Sequence, residues 1–150
     1  MVGIKPRDVV DFYFDPPNSV LKMVKEFKKI EKIDESTGIF YWRFKLPFMS
    51  DRDNIMRIYT QDLEDGSIFV CATSIERDDI PPIPGVFRMF QQINSYVRAS
   101  KEDPNVVEYT EISHFDMKGK VPPLLLNMVM SSESVKEMKN MYNHMIKKYK

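Results

Sequence analysis

The stretch Phe115-Asp116-Met117-Lys118-Gly119-Lys120-Val121-Pro122-Pro123-Leu124-Leu125-Leu126-Asn127-Met128 carries the chain from a strand, through a glycine turn, into its longest helix. Pro122 and Pro123 suit a helix's first turn, where their missing N–H groups cost nothing. Beyond them Met128, Val135, Met138, Tyr142, Met145, Ile146 and Tyr149 recur at three- and four-residue intervals. That spacing predicts one apolar stripe, with Glu133, Lys136, Glu137, Asn140, His144 and Lys147 on the other face. The opening run Leu124 to Met130 is apolar around most of its circumference, so Leu126, Val129 and Met130 fall outside the stripe and need further apolar contact. The natural partner of such a helix is the apolar face of a sheet.

Upstream, the chain supplies that sheet. In Ile39 to Leu46, alternation sends Phe40, Trp42, Phe44 and Leu46 one way and Tyr41, Arg43 and Lys45 the other, which reads as a half-solvated strand. Asn54 to Gln61 repeats the pattern, with Met56, Ile58 and Thr60 opposite Ile55, Arg57 and Tyr59. The Asp65-Gly66 pair turns this strand into a return strand over Ser67 to Ile75. Val86 to Val97 and Asn105 to Phe115 form a further antiparallel pair, and a strand ends at the Asp34-to-Gly38 turn. Between them, Asp78 to Gly85 contains three prolines and reads as an ordered loop. Near the start, Pro6 opens a short helix to Phe14, and Asn18 or Ser19 caps a second over Val20 to Val24. The expected fold class is α+β: a curved antiparallel sheet and a long C-terminal helix, in a single domain over residues 1–150.

Composition narrows the function. The chain has 150 residues, 43% of them apolar, enough for one core. Lys+Arg and Asp+Glu are 22 each, so no net field recruits nucleic acid. The charge is nevertheless uneven: from Lys118 to Lys150, seven lysines face two glutamates, a balance of +5 that leaves −5 on the remainder. Such a segment suits contact with an anionic surface, or is simply a lysine-rich solvated face. No stretch resembles a signal peptide or a membrane span, and Cys71 is the only cysteine, so a cytoplasmic location is expected.

Catalytic chemistry is poorly represented. His114 and His144 lie on different elements with no close cysteine spacing, so no metal site is expected. Cys71, mid-strand between Val70 and Ala72, reads as a buried thiol. No glycine-rich phosphate loop is present, and the carboxylates are not arranged in a recognisable acid–base pair. The expectation is a protein without catalytic activity or cofactor. If the Trp42 side of the sheet is interior, alternation directs Arg57 outward, whereas a bulge would turn it inward.

Four signatures, in order, resemble the START family, the lipid-transfer domains related to the steroidogenic acute regulatory protein, within the helix-grip superfamily. They are Pro47-Phe48-Met49-Ser50-Asp51-Arg52-Asp53, Thr73-Ser74-Ile75, Gly85-Val86-Phe87-Arg88, and Phe115 through Asn127. The resemblance implies that the sheet grips the C-terminal helix around a hydrophobic tunnel for a lipid or sterol-like molecule. The implied lining is Phe40, Trp42, Phe44, Met56, Ile58, Leu125, Met128, Val135, Met138 and Tyr142, with Arg57 as a polar alternative. Relatives place charged residues where Trp42 and Ile58 stand here, which implies a drier tunnel. Release would require motion of the C-terminal helix, the Asp78-to-Gly85 loop, or both. Lys118, Lys120, Lys136 and Lys139 are the expected membrane-facing residues during transient association.

Family domains also begin with a long helix and further strands before the segment matched by Pro6 to Phe14. The resemblance therefore implies a domain incomplete at its N-terminus: a fragment, a naturally shortened domain, or a homodimer in which the partner covers the exposed sheet edge. Two functions follow: binding and transfer of a hydrophobic ligand, or a protein-interaction domain whose sheet survives around a filled core.

Overall fold

The computed structural model of the chain describes residues 3–17 and 22–149. Helix α1 (Pro6–Phe14) starts at a proline, as expected, and the Asp8 carboxylate accepts a hydrogen bond from the Lys5 backbone N–H at 2.8 Å. The second short helix expected from Val20 does not reach Val24: Asn18 to Leu21 lie outside the described residues, Lys22 and Met23 form a turn, and Val24 begins a strand.

Six long strands, β1 (Val24–Lys32), β2 (Thr37–Phe44), β3 (Arg52–Asp62), β4 (Ile68–Ser74), β6 (Phe90–Ala99) and β7 (Val107–Asp116), lie antiparallel in the order β1-β2-β3-β4-β6-β7. The two-residue β5 (Phe87–Arg88) pairs parallel with the start of β3. Register aligns the alternating apolar residues across the sheet: Phe40 faces Met56, Ile58 faces Ala72, and Ala72 faces Ile93. The buried face continues into α1 through Val9 and Val10 and into the last helix through Met141 and Met145.

The opposite face is not open to solvent along β2, contrary to the half-solvated reading. Tyr41 is buried beside Ile39 and Ile55, with Ile80 of the proline loop packed on them. Arg88 locks that loop in place. It donates to both carboxylate oxygens of the fully buried Asp53, at 2.8 and 3.0 Å, and to the Ile80 carbonyl at 3.2 Å. Tyr41 Oη donates to the same carboxylate at 3.1 Å, and burial together with Asp53 pushes the Tyr41 phenol up to about 12. The segments around Asp53 and Arg88 thus hold the back of the sheet together.

The two sheet edges differ. β1 carries Lys25, Lys28, Lys29 and Lys32 and two register shifts, both of which discourage edge-to-edge pairing. β7 has neither, pairs with β6 through ten unbroken residue pairs, and leaves Ile112 73% exposed.

The C-terminal helix is interrupted. α2 (Pro123–Met128) leads into a π-helical turn over Val129–Glu133 before α3 (Ser134–Tyr149). There the Ser131 and Ser132 hydroxyls donate to the carbonyls of Asn127 and Met128 at 2.6 and 2.7 Å, partnering acceptors where the regular ladder is broken.

Candidate ligand-binding cavity

Between the sheet's concave face and α3 lies a cavity of about 290 Å³. This is near the lower end of the range of about 300–1,000 Å³ usual for ligand pockets. Its floor and one wall come from β2 to β4, with Trp42, Phe44, Met56, Ile58 and Ala72 on it. Trp42 is wedged against Phe27, their ring centroids 4.4 Å apart, and stacks on Phe44. The opposite wall is Met130, Ser134, Glu137, Met138 and Met141, and α1 closes one side with Phe12 and Tyr13. Met130, Ser134, Met138 and Glu111 both line the cavity and are exposed, so the opening lies between β7 and the start of α3.

Of the residues expected to line a tunnel, Trp42, Phe44, Met56, Ile58 and Met138 border this cavity. Phe40 is not on the wall: it is buried in the core beneath α1, edge-on to Phe14 and stacked on Phe27. Leu125 and Met128 do not line the cavity either. Val135 (53% exposed) and Tyr142 (39%) lie on the outer side of α3, where they edge a shallow groove with Lys139. The apolar stripe is wider than the contact, and α3 is turned so that Met141, which the periodicity reading passed over, points inward instead. Flexible thioethers at 138, 141 and 145 fit an irregular concave surface better than a β-branched side chain or a ring. Arg57 is exposed on the opposite face of β3, so the polar alternative is corrected: no bulge turns it inward. The Asp78-to-Gly85 loop contributes nothing to the lining, and its Ile80 packs on the back of the sheet.

Six polar residues on the lining escaped the sequence reading: Tyr13, Arg52, Gln91, Glu111, Ser134 and Glu137, the last expected on the solvent face of the helix. Arg52 was visible only as part of a signature. It is 2% exposed and donates to the carbonyls of Ser50, Met117 and Lys118 at 2.5, 2.8 and 3.2 Å, with its guanidinium 4.8 Å from the Phe87 ring centre. Burial lowers its pKa from the usual arginine value. The Met117 and Lys118 carbonyls are presented by a sharp turn in which Lys118 and Gly119 both have positive φ, and a Cβ on Gly119 would come within 3.1 Å of the Phe87 ring. Beside Arg52, Asn54 Nδ2 donates to Gln91 Oε1 at 2.8 Å, while buried Asn54 Oδ1 has no partner among the described residues.

The expected membrane-facing lysines fall in two places. Lys118 and Lys120 lie in the exposed β7–α2 loop, where Lys118 pairs with Asp116 at 2.5 Å. Lys136 and Lys139 are exposed on α3. No helix among the described residues is long and apolar enough to cross a membrane, and they contain no cluster of metal-ligating residues.

The comparisons agree with this architecture. The START domain family matches residues 3–148. Human StAR-related lipid transfer protein 5 superposes with a TM-score of 0.78 at 19% identity, covering 99% of this chain and 74% of its own. Human STARD10 gives 0.83 at 20% identity, covering 96% of this chain and 59% of its own. A STAR-related lipid transfer protein fragment from Xanthomonas axonopodis gives 0.75 at 16%, covering 96% and 81% respectively. No curated protein matches the sequence. At these identities the solved structures establish the fold, and the match over nearly the whole chain establishes the family: this chain belongs to the START domain family of noncatalytic lipid-binding and lipid-transfer modules.

Proposed function

We propose that the chain holds one hydrophobic ligand, a lipid or sterol-like molecule, in the cavity between sheet and C-terminal helix and exchanges it with membranes. The observation that carries this reading is the space itself: aromatic and thioether side chains surround about 290 Å³ that no protein atom fills. Apolar ligand surface entering it leaves water at about 0.8 kcal/mol per methylene. The helix is the moving part. Its π-helical turn adjoins the opening through Met130 and Ser134, and broken hydrogen-bond ladders of this kind recur at functional sites.

Membrane contact is assigned to the outer side of that helix and the loops beside it. Val135 and Tyr142 with Lys136 and Lys139 form an amphipathic face of the kind that lies in a headgroup layer. Arg52 ties the loop carrying Phe48, 94% exposed at φ +60°, to the turn carrying Lys118 and Lys120. Native mass spectrometry of the purified and then delipidated chain tests the binding reading: a co-purifying or re-acquired ligand at one per chain supports it, and uptake of none refutes it. Transfer to neutral and anionic vesicles tests the docking face, and equal rates at low salt would remove it.

A further inference from the structure

On the sheet and α1 side of the cavity the polar groups are gathered at two separated stations, while Ser134 and Glu137 stand on the α3 wall. Phe115 and Met117 line it at the Arg52 end, whereas Glu111 lines it four to six residues earlier on β7, roughly 13–20 Å away along an extended strand. At the Arg52 end the guanidinium is already engaged by three backbone carbonyls and a ring face.

The Glu111 station is organised differently. Three hydroxyls converge on its carboxylate: Ser113 Oγ donates to Oε1 at 2.6 Å, Tyr13 Oη to Oε2 at 3.2 Å, and Tyr109 Oη to the same oxygen. Ser95, 1% exposed on β6, completes the cluster 3.1 Å from Tyr109 Oη. Burial, then the Glu111 charge, push the Tyr13 phenol far above its usual value, so it remains protonated. Tyr13 Oη also lies within hydrogen-bonding reach of Tyr109 Oη and Ser95 Oγ, so the cluster's protons are shared among its own oxygens. What the cluster has left to offer is lone pairs on phenolic and carboxylate oxygens, with a negative charge behind them. Tyr13 and Glu111 both line the cavity, and Glu111 is exposed at its opening. A lipid inserted tail first leaves its head there.

We infer that the Tyr13–Tyr109–Glu111 cluster makes the mouth of the cavity selective for a headgroup that donates hydrogen bonds, a hydroxyl or a primary ammonium, and against carboxylate or phosphate heads. A donor finds acceptor oxygens there, whereas an anion meets the like charge of a carboxylate. The inference rests on the cavity holding a ligand.

The test uses the full chain, delipidated, with diphenylhexatriene as a neutral cavity probe. It is displaced by four amphiphiles of equal chain length kept below their aggregation concentrations: hexadecylamine, hexadecanol, methyl palmitate and palmitate. The expected order places the amine and the alcohol at least tenfold tighter than palmitate, with the ester weaker than the alcohol. Glu111→Gln should shrink the preference for amine over palmitate at least tenfold. Palmitate binding as tightly as the amine, or ester and alcohol binding equally, would overturn the assignment while leaving the cavity reading intact. Failure of the probe and all four amphiphiles to bind would overturn the cavity reading as well. The wild-type series alone is decisive should the variant fail to fold.

Discussion

Replacing Ala72 by Leu separates ligand space from protein core. Ala72 lies on the cavity floor, paired with Ile58 of β3 on one side and Ile93 of β6 on the other, and its methyl borders the void. Leucine adds three carbons at a position that lines the cavity. In the ligand-free protein those carbons fill a hole, and cavity filling commonly adds about 0.5–2 kcal/mol of stability. In the complex they occupy room that three ligand carbons would otherwise take. At about 0.8 kcal/mol for each, binding weakens by about 2.4 kcal/mol, or about 50-fold. The two effects have opposite signs. Chemical denaturation of the delipidated variant measures the first, and titration of a neutral apolar probe measures the second. Unchanged affinity with lowered stability would refute the reasoning, because it would mean that the space over Ala72 closes in solution and that ligands, if bound, sit elsewhere.

Other consequences are equally specific. Asp53→Ala strands the Arg88 guanidinium, 12% exposed, beneath the proline loop, and should cost about 3–5 kcal/mol in urea denaturation. Tyr41 titrates from an ordinary value of 10.0 in the unfolded chain to about 12 in the fold. Its contribution is therefore fully present below pH 10 and is lost as the pH rises from 10 to 12, and Tyr41→Phe should flatten that limb of the stability profile. On β7, which lacks the lysines and bulges of the opposite edge, exposed Ile112 predicts self-association at high concentration. Ile112→Lys should abolish it in sedimentation velocity, whereas a wild-type monomer at all concentrations would show that the edge does not pair.

How much of this was legible in advance depended on the range of the interaction. Strand alternation is local, so Trp42, Phe44, Met56 and Ile58 could be assigned to one face from spacing alone, and their register then carried them to the cavity. Arg57 followed from the same parity. The helix was harder. Apolar residues cover a broad arc of it, so periodicity located the helix but not the part of that arc that turns inward. Val135 and Tyr142 were assigned to the interior and lie outside, while Met141 was overlooked and is 5% exposed in the core.

The sequence by itself determined the antiparallel sheet, the terminal helix and the family, because two-residue and three-to-four-residue periods and short signatures are properties of neighbouring residues. Only the tertiary structure decided which side chains meet across distant strands. Tyr13 and Glu111 stand 98 residues apart and Arg52 and Met117 65 apart, and no local pattern links either pair. The covered back of the sheet has the same origin: Tyr41 alternates like a solvent-facing residue, and it is buried because Arg88 and Asp53 draw a proline loop across it. Periodicity records which face a residue occupies; what covers that face depends on contacts made far along the chain.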